Sequence, residues 1–273
     1  MSAIAKARDF VGCALRLGDG PLAKCAILWH ESKNVRARLG LARYHPTAVY
    51  SVATVHGRLW FRDNFGDITN LPNLMYRQAY LIPRPLGDGA ILDVGANIGL
   101  AAAWFASRYP GRPVHCFEPL TANTRLIALN CPGAVVNAVA VGAAPGTIEL
   151  SVDEDSVMAS SIATRWDTHP RRVPVIRLDD YVTGRDIDRV ALLKIDTEGM
   201  ELDVLNGASE TLARTEQVAM ETHGDVRHSA VLDRLREAGF HIDRDEFAGA
   251  TGMVFASRTH EGAGAERQAS VSA

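Results

Sequence analysis

The chain lacks the features that mark several common classes of protein. Its four cysteines, Cys13, Cys25, Cys116 and Cys131, form no C-x-x-C pair, so a zinc knuckle is not expected. Free thiols of this kind are typical of proteins in a reducing compartment. No run of 18 apolar residues occurs, and the sequence therefore predicts no membrane span.

An excess of positive charge is also missing. The chain has 29 Lys and Arg against 32 Asp and Glu, which gives a formal net charge of −3. Domains that hold long stretches of nucleic acid usually show a basic excess, so no nucleic-acid partner is expected. Lys6, Arg8 and Asp9 interrupt the apolar residues near the N-terminus, which argues against a signal peptide and favours a cytoplasmic protein.

Three regions differ in their residue patterns. Residues 1–45 show apolar residues at helical spacing and predict a helical extension, which docks on the core, contributes to a homodimer or forms a lid over the substrate. Residues 46–258 hold short apolar strands, which alternate with helices from about residue 88. The pattern predicts strands at Ala90 to Val94, Val135 to Val141 and Val190 to Ile195, an inserted strand pair at Thr147 to Val152 and Val173 to Leu178, and a helix near Glu201 to Ala213. This alternation predicts an α/β fold with a mostly parallel sheet and helices on both faces. Residues 259–273 are small and polar, and predict a disordered tail.

The most informative motif directly follows a predicted strand and opens a helix. It reads Asp93-Val94-Gly95-Ala96-Asn97-Ile98-Gly99. Its glycines permit a tight turn and a close approach to a ligand, and ligands of open α/β sheets bind beyond the carboxyl ends of the strands. Glu118 follows the next predicted strand, where an acid can accept hydrogen bonds from ribose hydroxyls. The alternative is a structural turn in which Glu118 only caps a helix.

The same motif discriminates between two nucleotide cofactors. An NAD-binding turn reads G-x-G-x-x-G, and its second glycine lets the backbone approach a pyrophosphate. Asn97 stands at that position in this chain. S-adenosylmethionine carries ribose and adenine but no phosphate, so the motif favours S-adenosylmethionine over NAD.

Two further polar clusters follow later predicted strands. Asp196 is expected at the ligand crevice, where it holds the cofactor's amino group or orients the acceptor, and Lys194 shares its strand face. Glu201 suits the positive end of the helix that follows. His223 titrates near neutral pH and is a candidate general base, with a solvent-exposed loop histidine as the alternative. Asp196 and Glu221 are oxygen donors, which leaves a Mg²⁺ site open.

Together these motifs resemble the FkbM family of methyltransferases. The resemblance covers roughly residues 65–225, and one departure is Thr197, where the family often has an aliphatic residue. Its motifs are Asp93 to Gly99, Phe117-Glu118-Pro119, Leu178-Asp179-Asp180, Lys194-Ile195-Asp196-Thr197-Glu198-Gly199-Met200-Glu201 and Val204-Leu205-Asn206-Gly207-Ala208.

The resemblance implies a Rossmann-like class I methyltransferase fold with a mostly parallel, seven-stranded sheet and S-adenosylmethionine as cofactor. It also implies methyl transfer to a hydroxyl of a small natural product, sugar or glycan. Glu118 is expected to hold the ribose and Asn137 to approach the adenine. The full implied set of cofactor-binding residues is Asp93, Gly95, Ala96, Asn97, Gly99, Glu118, Asn137 and Asp196.

Proton removal from an alcohol acceptor requires a base, and Asp196 and His223 are the candidate catalytic residues. A nucleobase methyltransferase is one alternative, but such enzymes commonly carry an Asn/Asp-Pro-Pro-aromatic run where this chain has Asp196-Thr197-Glu198-Gly199. The other alternative is a catalytically silent cofactor-binding partner subunit. The presence of Asp93, Glu118 and Asp196 argues against that alternative.

Overall fold

The computed structural model describes residues 3–153, 158–160 and 168–258, so the tail expected at 259–273 lies outside the described part. The N-terminal part consists of two helices, a β-hairpin, a short helix and a π-helical turn. These elements are α1 (Ala3–Leu17), α2 (Pro21–Arg38), β1 (His45–Thr54), β2 (Gly57–Asp63), α3 (Phe65–Leu71) and the turn Pro72–Tyr76.

From Ala90 onwards strands and helices alternate, as the apolar pattern predicts. In chain order these elements are β3 (Ala90–Val94), α4 (Leu100–Arg108), β4 (Val114–Phe117), α5 (Thr121–Asn130), β5 (Val135–Asn137), β6 (Ala140–Val141), β7 (Gly146–Asp153), β8 (Met158–Ser160), β9 (Thr168–Ile176), α6 (Leu178–Gly184), β10 (Val190–Ile195), α7 (Glu201–Asn206), α8 (Ser209–Ala213), β11 (Thr215–His223), α9 (Asp225–Glu237), β12 (His241–Ala248) and β13 (Thr251–Ser257).

The main sheet has seven strands in the spatial order β12–β13–β11–β10–β3–β4–β5. The central strands β11, β10, β3, β4 and β5 pair in parallel, whereas β13 runs antiparallel between β11 and β12. This confirms the predicted fold, a Rossmann-like class I methyltransferase fold with a mostly parallel sheet.

Parallel pairing brings the polar clusters of the sequence to one edge of the sheet. Ile195 at the end of β10 pairs with Val94 on one side and with Met220 on the other. The residues that follow these three positions along the chain therefore lie beside one another. The turn after β3, the loop after β10 and the last residues of β11 form a single site.

A second sheet covers part of this edge, with the strand order β6–β9–β7–β8. The expected inserted strand pair is present, since β7 and β9 pair antiparallel. The single strand expected from Val135 to Val141 is wrong. A tight turn, in which Val139 N donates to Asn137 O at 2.9 Å, separates β5 in the main sheet from β6 in the second sheet.

The single helix expected from Glu201 to Ala213 is also wrong, because α7 and α8 are separate helices. The chain breaks at Gly207, where a Cβ atom would lie 2.1 Å from the backbone oxygen of Gly142. Close contact with the turn after β6 therefore requires a glycine, and glycine weakens a helix at this point.

The N-terminal helices pack into the main core. Cys13, Ala14 and Leu17 of α1 and Ile27 of α2 are buried in the same hydrophobic cluster as Phe105 of α4. Burial of this apolar surface is the main force that attaches the two helices to the sheet layers. None of the helices in the described part of the chain has the length and apolar character that a membrane span requires.

Asn130, the last residue of α5, joins the N-terminal hairpin to the main fold. Its Oδ1 accepts from Trp60 N at 2.6 Å, and its Nδ2 donates to Trp60 O at 2.9 Å and to Ile98 O at 2.7 Å. The side chain is buried, so these backbone groups have little access to water when the amide is removed.

We expect Asn130→Ala to lower the free energy of unfolding by about 1–3 kcal/mol, because it leaves buried backbone groups without partners. Urea unfolding followed by circular dichroism measures the change. The control Leu129→Ala removes a side chain that is 47% exposed on the same helix, and should stay within about 0.5 kcal/mol of the wild type. Equal effects of the two variants would contradict this role of Asn130.

Candidate functional site

A cavity that opens to solvent, with about 690 Å³ of empty space including its open mouth, lies at the carboxyl edge of the main sheet, between the turn after β3 and the second sheet. Its lining contains three carboxylates, and none of the described lining residues has a basic side chain. The lining residues are Val94, Gly95, Asn97, Phe117, Glu118, Pro119, Asn123, Val139, Ala140, Val141, Leu150, Asp196, Thr197, Glu198 and Met200.

Glu118 directly follows β4 and is held by hydrogen bonds on both carboxylate oxygens. Oε2 accepts from Asn97 N at 3.0 Å, and Oε1 accepts from Leu120 N at 2.9 Å and from Asn123 Nδ2 at 3.1 Å. Burial raises the pKa of Glu118 to about 7, although these hydrogen bonds lower it. A carboxylate has about four acceptor sites, so one is left for a ligand.

Several polar atoms of the cavity lining have no hydrogen-bond partner. They are Asn97 Oδ1, Asn123 Oδ1 and Thr197 Oγ1, all shielded from water. Buried polar groups are normally hydrogen-bonded, and an orphan group calls for a ligand or a water molecule. Two of these atoms are acceptors, so they suit the hydroxyl and amino donors of a nucleoside.

Asp93 does not line the cavity. Its carboxylate is fully buried and lies 2.9 Å from Lys194 Nζ, which also donates to Gly95 O at 2.7 Å. Burial raises the pKa of Asp93, and the Lys194 ammonium opposes this shift. Asp93 therefore supports the turn after β3 through Lys194, and its direct contact with the cofactor stays a prediction.

The remaining predicted cofactor residues divide into two groups. Gly95, Asn97, Glu118 and Asp196 line the cavity, whereas Ala96, Gly99 and Asn137 do not. The side chain of Asn137 instead donates to Cys116 O at 3.0 Å and to the Tyr181 hydroxyl at 3.2 Å. A Cβ atom on Gly99 would lie 2.9 Å from the backbone of Ile127, so this glycine serves helix packing.

Gly95 is required by the neighbouring loop as well as by the cavity. Its φ of 75° lies in the left-handed region, and a Cβ atom there would lie 1.8 Å from the backbone oxygen of Asp196. The turn after β3 and the loop after β10 therefore pack backbone against backbone. The sequence predicted the glycine turn, but not its contact with Asp196.

Asp196 lies at the tip of β10, and its Oδ2 accepts a hydrogen bond from the Tyr80 hydroxyl at 2.9 Å. Lys194 Nζ lies 3.9 Å from the same oxygen and 5.4 Å from the centre of the Tyr80 ring. Sequence analysis missed Tyr80 because it lies 116 residues away from Asp196 in a segment with no motif.

His223 ends β11 and is enclosed by carboxylates. Its Nδ1 lies 2.8 Å from Glu201 Oε1, while its Nε2 lies 3.3 Å from Glu198 Oε2 and 4.0 Å from Glu221 Oε1. Burial lowers the pKa of His223, but the hydrogen bond to Glu201 and the nearby negative charges raise it to about 9. The ring is thus protonated at neutral pH and accepts no further proton.

The role of His223 as a general base stays a prediction, which this raised pKa does not favour. Its alternative, a solvent-exposed loop residue, is wrong, because the ring is buried at the end of β11. Glu201, which the sequence assigned only to the helix start, is fully buried and holds both Gly199 N, at 2.8 Å, and His223. Its position as the first residue of the short helix α7 gave no sign of the contact with β11.

A negative field surrounds the tips of β10 and β11. Burial, followed by the charge of Asp196, raises the pKa values of both Glu198 and Glu221. Burial lowers the pKa of Lys194, but Asp93 and Asp196 raise it overall, so the ammonium stays charged. The edge of the sheet thus holds several carboxylates in mutual repulsion beside a ligand cavity.

Comparison with known protein families identifies the family of this chain. The model of the methyltransferase FkbM domain matches residues 93–242. The chain belongs to the FkbM methyltransferase family. This match covers the turn after β3, Glu118 and both clusters at the tips of β10 and β11, so the region is an S-adenosylmethionine-dependent methyltransferase domain.

Individual relatives are distant. Methyltransferase sdnD of Sordaria araneosa is 26% identical over 224 residues, which cover 68% of this chain and 81% of that protein. The 31-O-demethyl-FK506 methyltransferase FkbM of Streptomyces tacrolimicus is 28% identical over 202 residues, covering 60% and 77%. AMB antimetabolite synthetase AmbE of Pseudomonas aeruginosa is 28% identical over 203 residues, which span 57% of this chain but a tenth (10%) of that longer protein.

We expect an NMR titration of the histidine rings to find His223 protonated well above neutral pH. Glu201→Gln should lower the pKa of His223, because it removes a negative charge and keeps an oxygen for Gly199 N. The control Glu246→Gln makes the same charge change at an exposed position of β12 and should leave the titration unchanged. An ordinary pKa of about 6.5 in the wild type would contradict this description of the site.

Proposed function

We propose that the protein transfers the methyl group of S-adenosylmethionine to a hydroxyl group of a small molecule or sugar. The observation that carries the proposal is the charge of the cavity, whose described lining has three carboxylates and no basic side chain. A dinucleotide would bring its diphosphate next to these carboxylates, which is unfavourable. S-adenosylmethionine has no phosphate, and its sulfonium is positive, so it suits a negative cavity.

Within this proposal, Glu118 accepts a hydrogen bond from one ribose hydroxyl with its remaining acceptor site. Asn97 and Asn123 contribute the unpartnered oxygens that lie beside it. The Gly95 turn brings the backbone close to the ligand, and Lys194 keeps that turn in place through the Gly95 carbonyl. These contacts bind and orient the methyl donor, which arrives already activated by its own positive charge.

Asp196 is the proposed contact of the acceptor. It lines the cavity at the tip of β10, with its orientation held by the Tyr80 hydroxyl. With His223 protonated, Asp196 is the better placed of the two predicted bases for the hydroxyl proton. Most of the catalytic effect would come from alignment of the two reactants and exclusion of water from the cavity.

The choice of a hydroxyl over a base amine rests on the loop after β10. It reads Asp196-Thr197-Glu198-Gly199 and has no proline-aromatic run for stacking on a flipped base. The name of the Streptomyces relative, 31-O-demethyl-FK506 methyltransferase, also describes methyl transfer to an oxygen. Both points favour an alcohol acceptor over a nucleobase.

Glu118→Gln should weaken binding of S-adenosylmethionine by about 1.5–3 kcal/mol, because the ribose loses a charged hydrogen-bond acceptor. Isothermal titration calorimetry measures the affinity, with Glu237→Gln as a control of equal charge change on the exposed end of α9. Unchanged affinity in Glu118→Gln would contradict the ribose assignment.

The same titration should depend on pH in a defined direction. Since the pKa of Glu118 lies at about 7, the carboxylate form dominates above that value. We therefore expect affinity for S-adenosylmethionine to fall as the pH drops from about 8 to about 6, and Glu118→Gln to lose this component of the dependence. A wild type that binds more tightly at the lower pH would contradict the assignment.

Methyl transfer itself is tested with S-adenosylmethionine that carries a ¹³C-methyl group and an extract of hydroxylated metabolites from the source cells. We expect labelled O-methyl products, identified by ¹H–¹³C NMR and mass spectrometry, and their loss in Asp196→Asn. The control variant Glu237→Gln should keep the full yield. Labelled N-methyl products alone would overturn the choice of a hydroxyl, and tighter binding of NAD than of S-adenosylmethionine would overturn the cofactor.

A further inference from the structure

We propose that Asp196, Glu198 and His223 form a binding site for a divalent cation, Mg²⁺ or Mn²⁺, beside the cofactor cavity. One ligand atom of each residue can be chosen so that all three lie within 4.8 Å of one another. Ligands about 2.0–2.3 Å from a shared ion lie at most about 4.6 Å apart, so only a small closure of these side chains is needed.

The three residues come from two neighbouring parallel strands and are therefore placed by the sheet. Asp196 and Glu198 follow β10, whereas His223 ends β11, and the pair Ile195–Met220 sets the register between these strands. Glu198 has a left-handed φ of 51° and is followed by Gly199 with a φ of 108°. This sharp turn directs the loop back towards β11 instead of away from it.

A second observation comes from outside the cluster. The fully buried Glu201 binds His223 Nδ1, which leaves Nε2 facing the carboxylates, 3.3 Å from Glu198 Oε2. A bound ion would take the place of the Nε2 proton, which is released to solvent. Metal-binding histidines almost always have their other ring nitrogen hydrogen-bonded to a carboxylate or a carbonyl. Glu201 belongs to α7 and faces the ring from the side opposite the proposed ion.

The charged groups around the cluster leave a role for a cation. Glu221 Oε1 lies 4.0 Å from His223 Nε2 and adds a third carboxylate. Lys194 is the nearby ammonium, but it pairs with Asp93 at 2.9 Å and lies 3.9 Å from Asp196. Carboxylate oxygens with one imidazole are a donor set that suits Mg²⁺ or Mn²⁺ better than thiophilic metals.

The role of the cation rests on the proposed function. Asp196 and Glu198 both line the cavity, so an ion held by them can contact the oxygen of an alcohol acceptor. Its positive charge stabilises the negative charge that develops when the hydroxyl proton leaves. With the ion bound, Asp196 is a ligand, so water instead of Asp196 accepts that proton. The oxygen then forms a bond to the methyl carbon as the carbon–sulfur bond breaks, and sulfur keeps the electron pair of that bond.

Binding of Mn²⁺ to the full chain, without cofactor or acceptor, tests the site directly. Electron paramagnetic resonance measures the Mn²⁺ that stays free, and calorimetry measures the heat of binding. Both should show one Mn²⁺ site per chain, from which Mg²⁺ displaces Mn²⁺. Glu201 does not contact the ion and acts on it only by holding His223. Glu201→Gln should therefore weaken Mn²⁺ binding about 10–100-fold. Glu198→Gln should weaken it at least as much, and Glu246→Gln should match the wild type.

Circular dichroism establishes that each variant is folded. Should Glu201→Gln fail to fold, Glu198→Gln decides the question, because the Glu198 side chain is 33% exposed and its loss is tolerable. Absence of Mn²⁺ binding at millimolar concentration would overturn the site, as would equal affinity of the wild type and Glu198→Gln.

A chelator separates this inference from the proposed function. Loss of methyl transfer in EDTA, restored by Mg²⁺ or Mn²⁺, supports the role of the cation. Undiminished methyl transfer in EDTA overturns that role and leaves the methyltransferase proposal standing. Mn²⁺ binding that depends on Glu198, in a protein without detectable transfer to any hydroxyl, would support the site while overturning the proposed function.

Discussion

The ammonium of Lys194 lies buried between β3 and β10, 2.9 Å from the Asp93 carboxylate and 2.7 Å from the Gly95 carbonyl. Burial of the ammonium or of the carboxylate alone would destabilise the fold. Removal of one member of a buried ion pair commonly lowers the free energy of unfolding by about 3–5 kcal/mol. The same ammonium lies 3.9 Å from Asp196. One side chain therefore joins the turn after β3, the centre of the sheet and the tip of β10.

Around this pair the charges are arranged unevenly. The cavity side of the sheet edge carries Glu118, Asp196 and Glu198, while its nearest ammonium faces inwards to Asp93. Such an arrangement is costly in the empty protein, because like charges repel at low effective dielectric. Cationic ligands relieve this repulsion, so the cavity selects for positive charge before any specific contact forms.

The sequence predicted the elements that repeat a simple pattern. The strands Ala90–Val94 and Val190–Ile195 are short apolar runs that end in polar residues, and both lie where the pattern places them. It also predicted that Glu118 and Asp196 lie at one edge, because parallel strands end together.

Contacts between distant segments could not be predicted in this way. Tyr80 reaches Asp196 across 116 residues, and Glu201 turns inwards to His223 although its position fits an ordinary helix start. Asn137 has the expected place at a strand end, but its amide is used by Cys116 and Tyr181. Side-chain direction at a strand tip depends on the packing of neighbours, and the residue pattern of one strand does not contain that information.

The shared core of α1, α2 and α4 has a consequence for how the chain unfolds. Because Cys13, Leu17 and Ile27 belong to the same buried cluster as Phe105, the two N-terminal helices cannot detach without exposing the packing surface of α4 to water. We therefore expect a single cooperative transition in which the helices and the sheet layers melt together. A chain shortened to start at residue 46 would present that apolar surface to solvent and associate with itself.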